Sequence, residues 1–133
     1  MFYIVQAIQF IMIEKQFTTS YQVYDQLDEM PEEDIQLMNK ACAIRDQAYA
    51  PYSQFMVGAA VLLENGEIVV GSNQENAAYP SGLCAERNAI YQAGSLYPKE
   101  KILAIAITVK SQRKKVIVPA APCGACRQAI AEY

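Results

Sequence analysis

The chain contains no histidine. Imidazole is therefore excluded both as a metal ligand and as a proton carrier, and such chemistry falls to thiols and carboxylates. Basic residues are also scarce: 11 lysines and arginines stand against 14 acidic residues, a net charge of −3. The only basic cluster, Arg113-Lys114-Lys115, reads as a solvated turn between strands and gives no support for polyanion binding. No nucleic-acid partner is expected. Residues 1–13 are nearly all apolar and uncharged. They lack a basic n-region and a small-residue cleavage site, and they fall short of the about 20 apolar residues of a spanning helix. No membrane partner is expected. Met12 precedes the polar pair Glu14-Lys15, so Met12 is the expected natural start and residues 1–11 the expected product of upstream read-through.

What remains is ordinary enough for one folded domain: 133 residues, 53% of them hydrophobic, sustain one core and not two. Residues 17–24 mix β-branched and aromatic side chains and predict a peripheral strand. Pro31 followed by Glu32, Glu33 and Asp34 opens a helix, with the acidic charges at the positive end of its dipole. That helix is expected to reach about Ala48, burying Ile35, Met38, Ala41, Cys42 and Ala48. The apolar run 55–63, the Asn65-Gly66 turn and residues 68–71 form a hairpin. A helix over 84–96, a strand over 102–109, a short strand or extended stretch at 116–118 and a last helix opened by Cys123 complete the order. The fold class is α/β: a mixed sheet flanked by helices. No repeat or low-complexity segment interrupts it. The last helix runs to Tyr133 without a capping signal, which reads as a fragment.

Three of the four cysteines carry the chemistry. Cys123 and Cys126 in Pro122-Cys123-Gly124-Ala125-Cys126 lie three apart, on one face of a helical turn, and can reach one metal. The small Gly124 and Ala125 would leave the backbone free to come close to it. Cys84 begins another helix, so two helix dipoles can serve one thiolate cluster. Three thiolates are one ligand short of a closed structural zinc site, and an open fourth position marks a catalytic one. Glu86 stands two residues from Cys84, placed to move protons at that position. Arg87 can donate to cysteine sulfur and offset the net charge of −1 on a Zn²⁺ with three thiolates.

Each residue also has a plainer reading. Cys-x-x-Cys is also a redox motif, but that leaves Cys84-Ala85-Glu86 unexplained. A purely structural zinc site would need a fourth ligand, and Cys42 is the only other thiol. Taken alone, Asn73 and Glu75 read as loop residues, Phe55 and Tyr79 as core, and Arg87 as a solvated helix position.

The pairing of Cys84-Ala85-Glu86 with Pro122–Cys126 matches the known signature of zinc deaminases, with cysteine in the place of histidine. The chain resembles cytidine deaminases of the small, homotetrameric, three-cysteine type. The likeness runs from Pro31 to Tyr133 and includes residues 50–55, 57–60, 73–79, 84–87 and 122–128. It implies Zn²⁺ held by Cys84, Cys123 and Cys126, with Glu86 as the catalytic proton carrier and Arg87 and Gln128 supporting the metal site. It also implies ribose contacts from Asn73 and Glu75, a pyrimidine contact from Phe55 and a base-edge contact from the backbone of Ala85. The implied reaction is hydrolysis of cytidine and deoxycytidine to uridine and deoxyuridine plus ammonia, by a cytoplasmic homotetramer. Residues 1–30 would be an N-terminal extension, and residues 31–133 the deaminase domain, without the family's final strand and tail. The alternatives are a non-catalytic zinc-binding module and a deaminase of another aminopyrimidine nucleoside such as blasticidin S.

Overall fold

The computed structural model describes residues 14–133, so the expectations about residues 1–11 lie outside it. Three strands make the sheet: β1 (Phe55–Leu63), β2 (Ile68–Ser72) and β3 (Ile102–Ser111). Their order is β2-β1-β3, and both ladders are antiparallel. The parallel pairing of a mixed sheet is limited, among the described residues, to the isolated bridge Tyr49–Gln74. The hairpin closes as its sequence predicts. Gly66 takes a φ of 85°, where a side chain would be strained. Its N–H donates to the Leu63 carbonyl, and the Glu67 N–H donates to Asn65 Oδ1 at 3.0 Å.

Three helices cover the sheet: α1 (Glu32–Arg45), α2 (Ala85–Leu96) and α3 (Gly124–Glu132). β1 is apolar without alternation because both its faces are covered. Ala59, Val61 and Leu63 pack with Ala85, Ala89, Ile90 and Ala93 of α2 and Ala129 of α3. Ala60 and Leu62 pack on the other side with Leu37 and Ala41 of α1. The result is a three-layer α/β/α domain, as the sequence implied.

Glycine sets how closely the helices approach. A Cβ at Gly58 would run into the Ala41 carbonyl and come within 2.7 Å of Arg45 Cβ on α1. A Cβ at Gly71 would lie 2.5 Å from the Ala89 nitrogen and 2.7 Å from the Ala85 oxygen on α2. The obstacles are mostly backbone, which cannot swing aside. Gly58→Ala is therefore expected to lower stability by about 3 kcal/mol, the upper part of the usual range for over-packing. Urea unfolding should show it as a lower midpoint with an unchanged slope.

Several local expectations need correction. Residues 17–24 form no strand; Phe17, Tyr21 and Val23 are exposed, and strand propensity has no effect without a partner ladder to pack against. Residues 116–118 likewise form no strand. α1 ends at Arg45, short of Ala48, because the Gln47 and Ala48 N–H groups turn back to Ile44 and Arg45 in tighter i to i+3 bonds. Pro31 precedes the first helical turn as its N-cap residue. Leu37, absent from the expected buried face, is its most buried large side chain. Cys42 is half-buried, with its Sγ 3.7 Å from Thr108 Oγ1.

Candidate metal centre

Cys84 is the N-cap residue of α2 and Cys123 that of α3. Each residue leaves the extended region just as the chain enters a helix, so its side chain lies beside free backbone N–H groups. Cys126 follows one turn into α3 and is fully buried, whereas Cys123 is exposed. The Sγ atoms of Cys84 and Cys123 are 3.9 Å apart and those of Cys123 and Cys126 3.5 Å, and all three lie within 4.8 Å of one another. Tetrahedral Zn–S bonds of about 2.3 Å put sulfurs about 3.8 Å apart, so the spacing suits zinc. Cys42 lies outside the cluster, which agrees with its reading as a packing residue.

The thiols differ in acidity for reasons that follow from their positions. Hydrogen bonds from the backbone and side chain of Cys126 pull the exposed Cys123 thiol below its ordinary value. Burial, followed by the hydrogen bond with Cys123 and the charge of Glu86, pushes Cys126 up. A divalent cation removes this conflict by binding all three as thiolates. Arg87 is aimed at the same atoms, with Nη2 3.8 Å from Cys84 Sγ. The Cys84 hydrogen bond raises the Arg87 pKa, burial opposes the rise, and Cys126 adds to it. Its Nε is buried without a partner.

Glu86 is 5% exposed, the only buried charged side chain among the described residues. Ala85, the first residue of α2, is fully buried. Gln128 is exposed on α3, and the side chains hydrogen-bonded to the three sulfurs are the cysteines themselves and Arg87. A Cβ at Gly124 would meet open space, so the chain's own packing does not require glycine there.

The loop residues belong to a second cluster. Asn73 Oδ1 accepts from the Val57 N–H at 2.7 Å, and its Nδ2 donates to the Phe55 carbonyl at 3.0 Å. The amide thus extends the β1 edge and still has one N–H and one lone pair free. Glu75 Oε2 accepts from the N–H groups of Tyr52 at 2.9 Å and Ser53 at 3.2 Å. Burial pushes the Glu75 carboxyl up, but hydrogen bonds from the Ser53 hydroxyl and these two amides, with the charge of Arg113, hold it below the usual value. Phe55 is half-buried at the start of β1. Sequence reasoning missed Asn88, whose Nδ2 donates to the Ser72 carbonyl at 2.7 Å and ties α2 to the end of β2. An asparagine inside a helical run gives no signal of a partner on a distant strand.

A family model described as "Cytidine and deoxycytidylate deaminase zinc-binding region" matches residues 31–133. The chain belongs to this family. A cytidine deaminase of Halalkalibacterium halodurans is 44% identical over 96 residues, 72% of this chain and 68% of that one. A cytidine deaminase of Sporosarcina psychrophila is 48% identical over 90 residues, 67% of this chain and 61% of that one. The crystal structure of the cytidine deaminase from Burkholderia pseudomallei matches with 40% identity and a TM-score of 0.62, covering 76% of this chain and 75% of that one. The cytidine deaminase from Mycobacterium tuberculosis matches with 35% identity and a TM-score of 0.63, covering 77% and 78%. As a member of this zinc-binding deaminase family, the chain is a zinc-dependent hydrolase domain, and the three-cysteine cluster supplies the donor set for Zn²⁺.

Proposed function

We propose that the protein hydrolyses cytidine and deoxycytidine to uridine and deoxyuridine with release of ammonia. One observation carries the reading: Glu86, the only buried charged side chain among the described residues, sits at the first turn of α2 beside three sulfurs spaced for zinc. A buried carboxylate is costly unless something binds it or it has work to do. Zinc held by these sulfurs would supply the Lewis acidity that makes a water's proton removable near neutral pH. Glu86 would take that proton and deliver it to N3 of the cytosine as the water oxygen bonds to C4, then move the proton remaining on that oxygen to the amine as the C4–N bond breaks and ammonia leaves. Cys84, Cys123 and Cys126 hold the metal. Arg87 donates to sulfur and tempers the surplus negative charge.

The remaining roles follow from what each group has free. As the first residue of α2, Ala85 has an N–H without an intrahelical acceptor, available to the base edge. Glu75 Oε1 and the spare donor and acceptor of Asn73 would take the ribose hydroxyls, and Phe55 would pack against the pyrimidine ring. Gln128 would support the metal site from α3. Residues 31–133 form the catalytic domain and residues 1–30 an extension of it. Assembly as a homotetramer would cover apolar side chains that stand exposed, among them Leu103, Ile117 and Val118. A cytoplasmic setting agrees with the free thiols. No helix among the described residues is long and apolar enough to cross a membrane.

The test is to follow the loss of cytidine and deoxycytidine ultraviolet absorbance with purified protein of known zinc content. Both nucleosides should be consumed with equimolar ammonia. One zinc per chain with no turnover of either would overturn the proposal.

A further inference from the structure

Arg113 lies outside the metal centre and outside every group given a role above, and the sequence alone reads it as solvated. Its side chain does more than that. Nη2 donates to the Tyr52 carbonyl at 2.9 Å and Nε to Gln54 Oε1 at 3.1 Å. Its neighbour Gln112 donates its N–H to the Gln54 carbonyl at 3.0 Å. The two residues just after β3 therefore hold the 52–54 turn by three hydrogen bonds.

Glu75 grips the same turn by its opposite polarity. The Tyr52 N–H goes to Glu75 Oε2, while the Tyr52 carbonyl goes to Arg113. The Ser53 N–H also goes to Glu75, and the Ser53 hydroxyl accepts from the Phe55 N–H at 3.0 Å. Gln54, between them, has a φ of 55°, in the left-handed region that non-glycine residues rarely occupy. A turn in that conformation needs fixed partners, and Arg113 and Glu75 supply most of them.

We propose that Arg113 is a positioning residue for nucleoside binding, a clamp that fixes the 52–54 turn so that Glu75 and Phe55 meet the substrate in one geometry. The inference rests on the substrate roles proposed above for Glu75 and Phe55. A guanidinium suits the task because its planar fork presents its N–H groups in fixed directions, whereas an ammonium is a compact charge on a flexible stem. The clamp acts on binding and not on the proton transfers, so its loss should appear in KM and leave kcat alone.

Arg113→Ala in the full-length protein is expected to raise KM for cytidine about tenfold, the usual scale for losing hydrogen bonds to a charged group. The kcat should stay within about twofold and the zinc content should be unchanged. Arg113→Lys should recover part of the loss, and amide hydrogen exchange at Tyr52 and Ser53 should quicken in the alanine variant. An unchanged KM in Arg113→Ala overturns the clamp, even if exchange quickens. So does a variant whose kcat and zinc content fall together with no recovery by lysine, because that describes a folding role. Glu86→Gln run alongside separates the two readings. If it retains full turnover, the deaminase mechanism fails while the KM of Arg113→Ala still decides the clamp.

Discussion

Glu86→Gln should reduce kcat for cytidine about a thousandfold, within the range that a positioned general acid–base group contributes, while the protein keeps one zinc per chain. Glutamine preserves the length and packing of the side chain but can neither accept nor release the proton that the reaction moves twice. Glu86 is 5% exposed, so the substitution also removes a buried charge and should leave stability equal or higher. The charge of Glu86 is one of the influences that raise the Cys126 thiol, after burial and the hydrogen bond with Cys123. Its removal should therefore not weaken the metal site. Steady-state kinetics with metal analysis on the same preparation checks both halves. Turnover within tenfold of the parent would end the assignment of Glu86 as proton carrier.

Cys126→Ala is expected to weaken zinc binding about a thousandfold, taking one ligand's share of the total affinity of such sites, and to abolish activity with it. Cys126 is the fully buried member of the cluster, 3.5 Å from Cys123. It is the ligand that no flexible neighbour can replace. Cys42→Ser provides the comparison: Cys42 is half-buried, but its neighbour is Thr108 and it lies outside the cluster. Zinc titration of the two variants against a chromophoric chelator should separate them widely. Equal affinities would show that the thiol triad does not define the site.

The metal centre is legible in the sequence because its residue types are rare and their spacing is local. Two cysteines at helix starts, a third one turn on and a glutamate two positions from the first combine for few purposes besides binding a metal. The sheet and helices are legible for a similar reason, since the apolar run of β1 and the Asn65-Gly66 turn obey local rules. The residues that mislead are those whose state depends on a distant partner. Residues 17–24 look like a strand and have no ladder to join. Arg113 is exposed, as its reading as a surface charge has it, but its acceptors lie about sixty positions earlier in the chain and leave no local signal. Asn73 looks like a turn residue, and its amide completes the edge of β1. Leu37 escapes notice because helical periodicity fixes spacing but leaves the phase of the buried stripe to tertiary packing.

The cysteine cluster joins the ends of two helices that share little else: α3 adds Ala129 to the core and sets Tyr133 against Tyr91, with ring centroids 6.3 Å apart. Zinc bound there would thus also be a rivet. Holding α3 to α2 through zinc makes the protein's melting temperature a function of free zinc, rising with the logarithm of its concentration above the dissociation constant. A chelator should then act as a selective denaturant, loosening α3 before the β1 core gives way. Stabilities measured in buffers of different zinc content would describe different proteins in all but sequence.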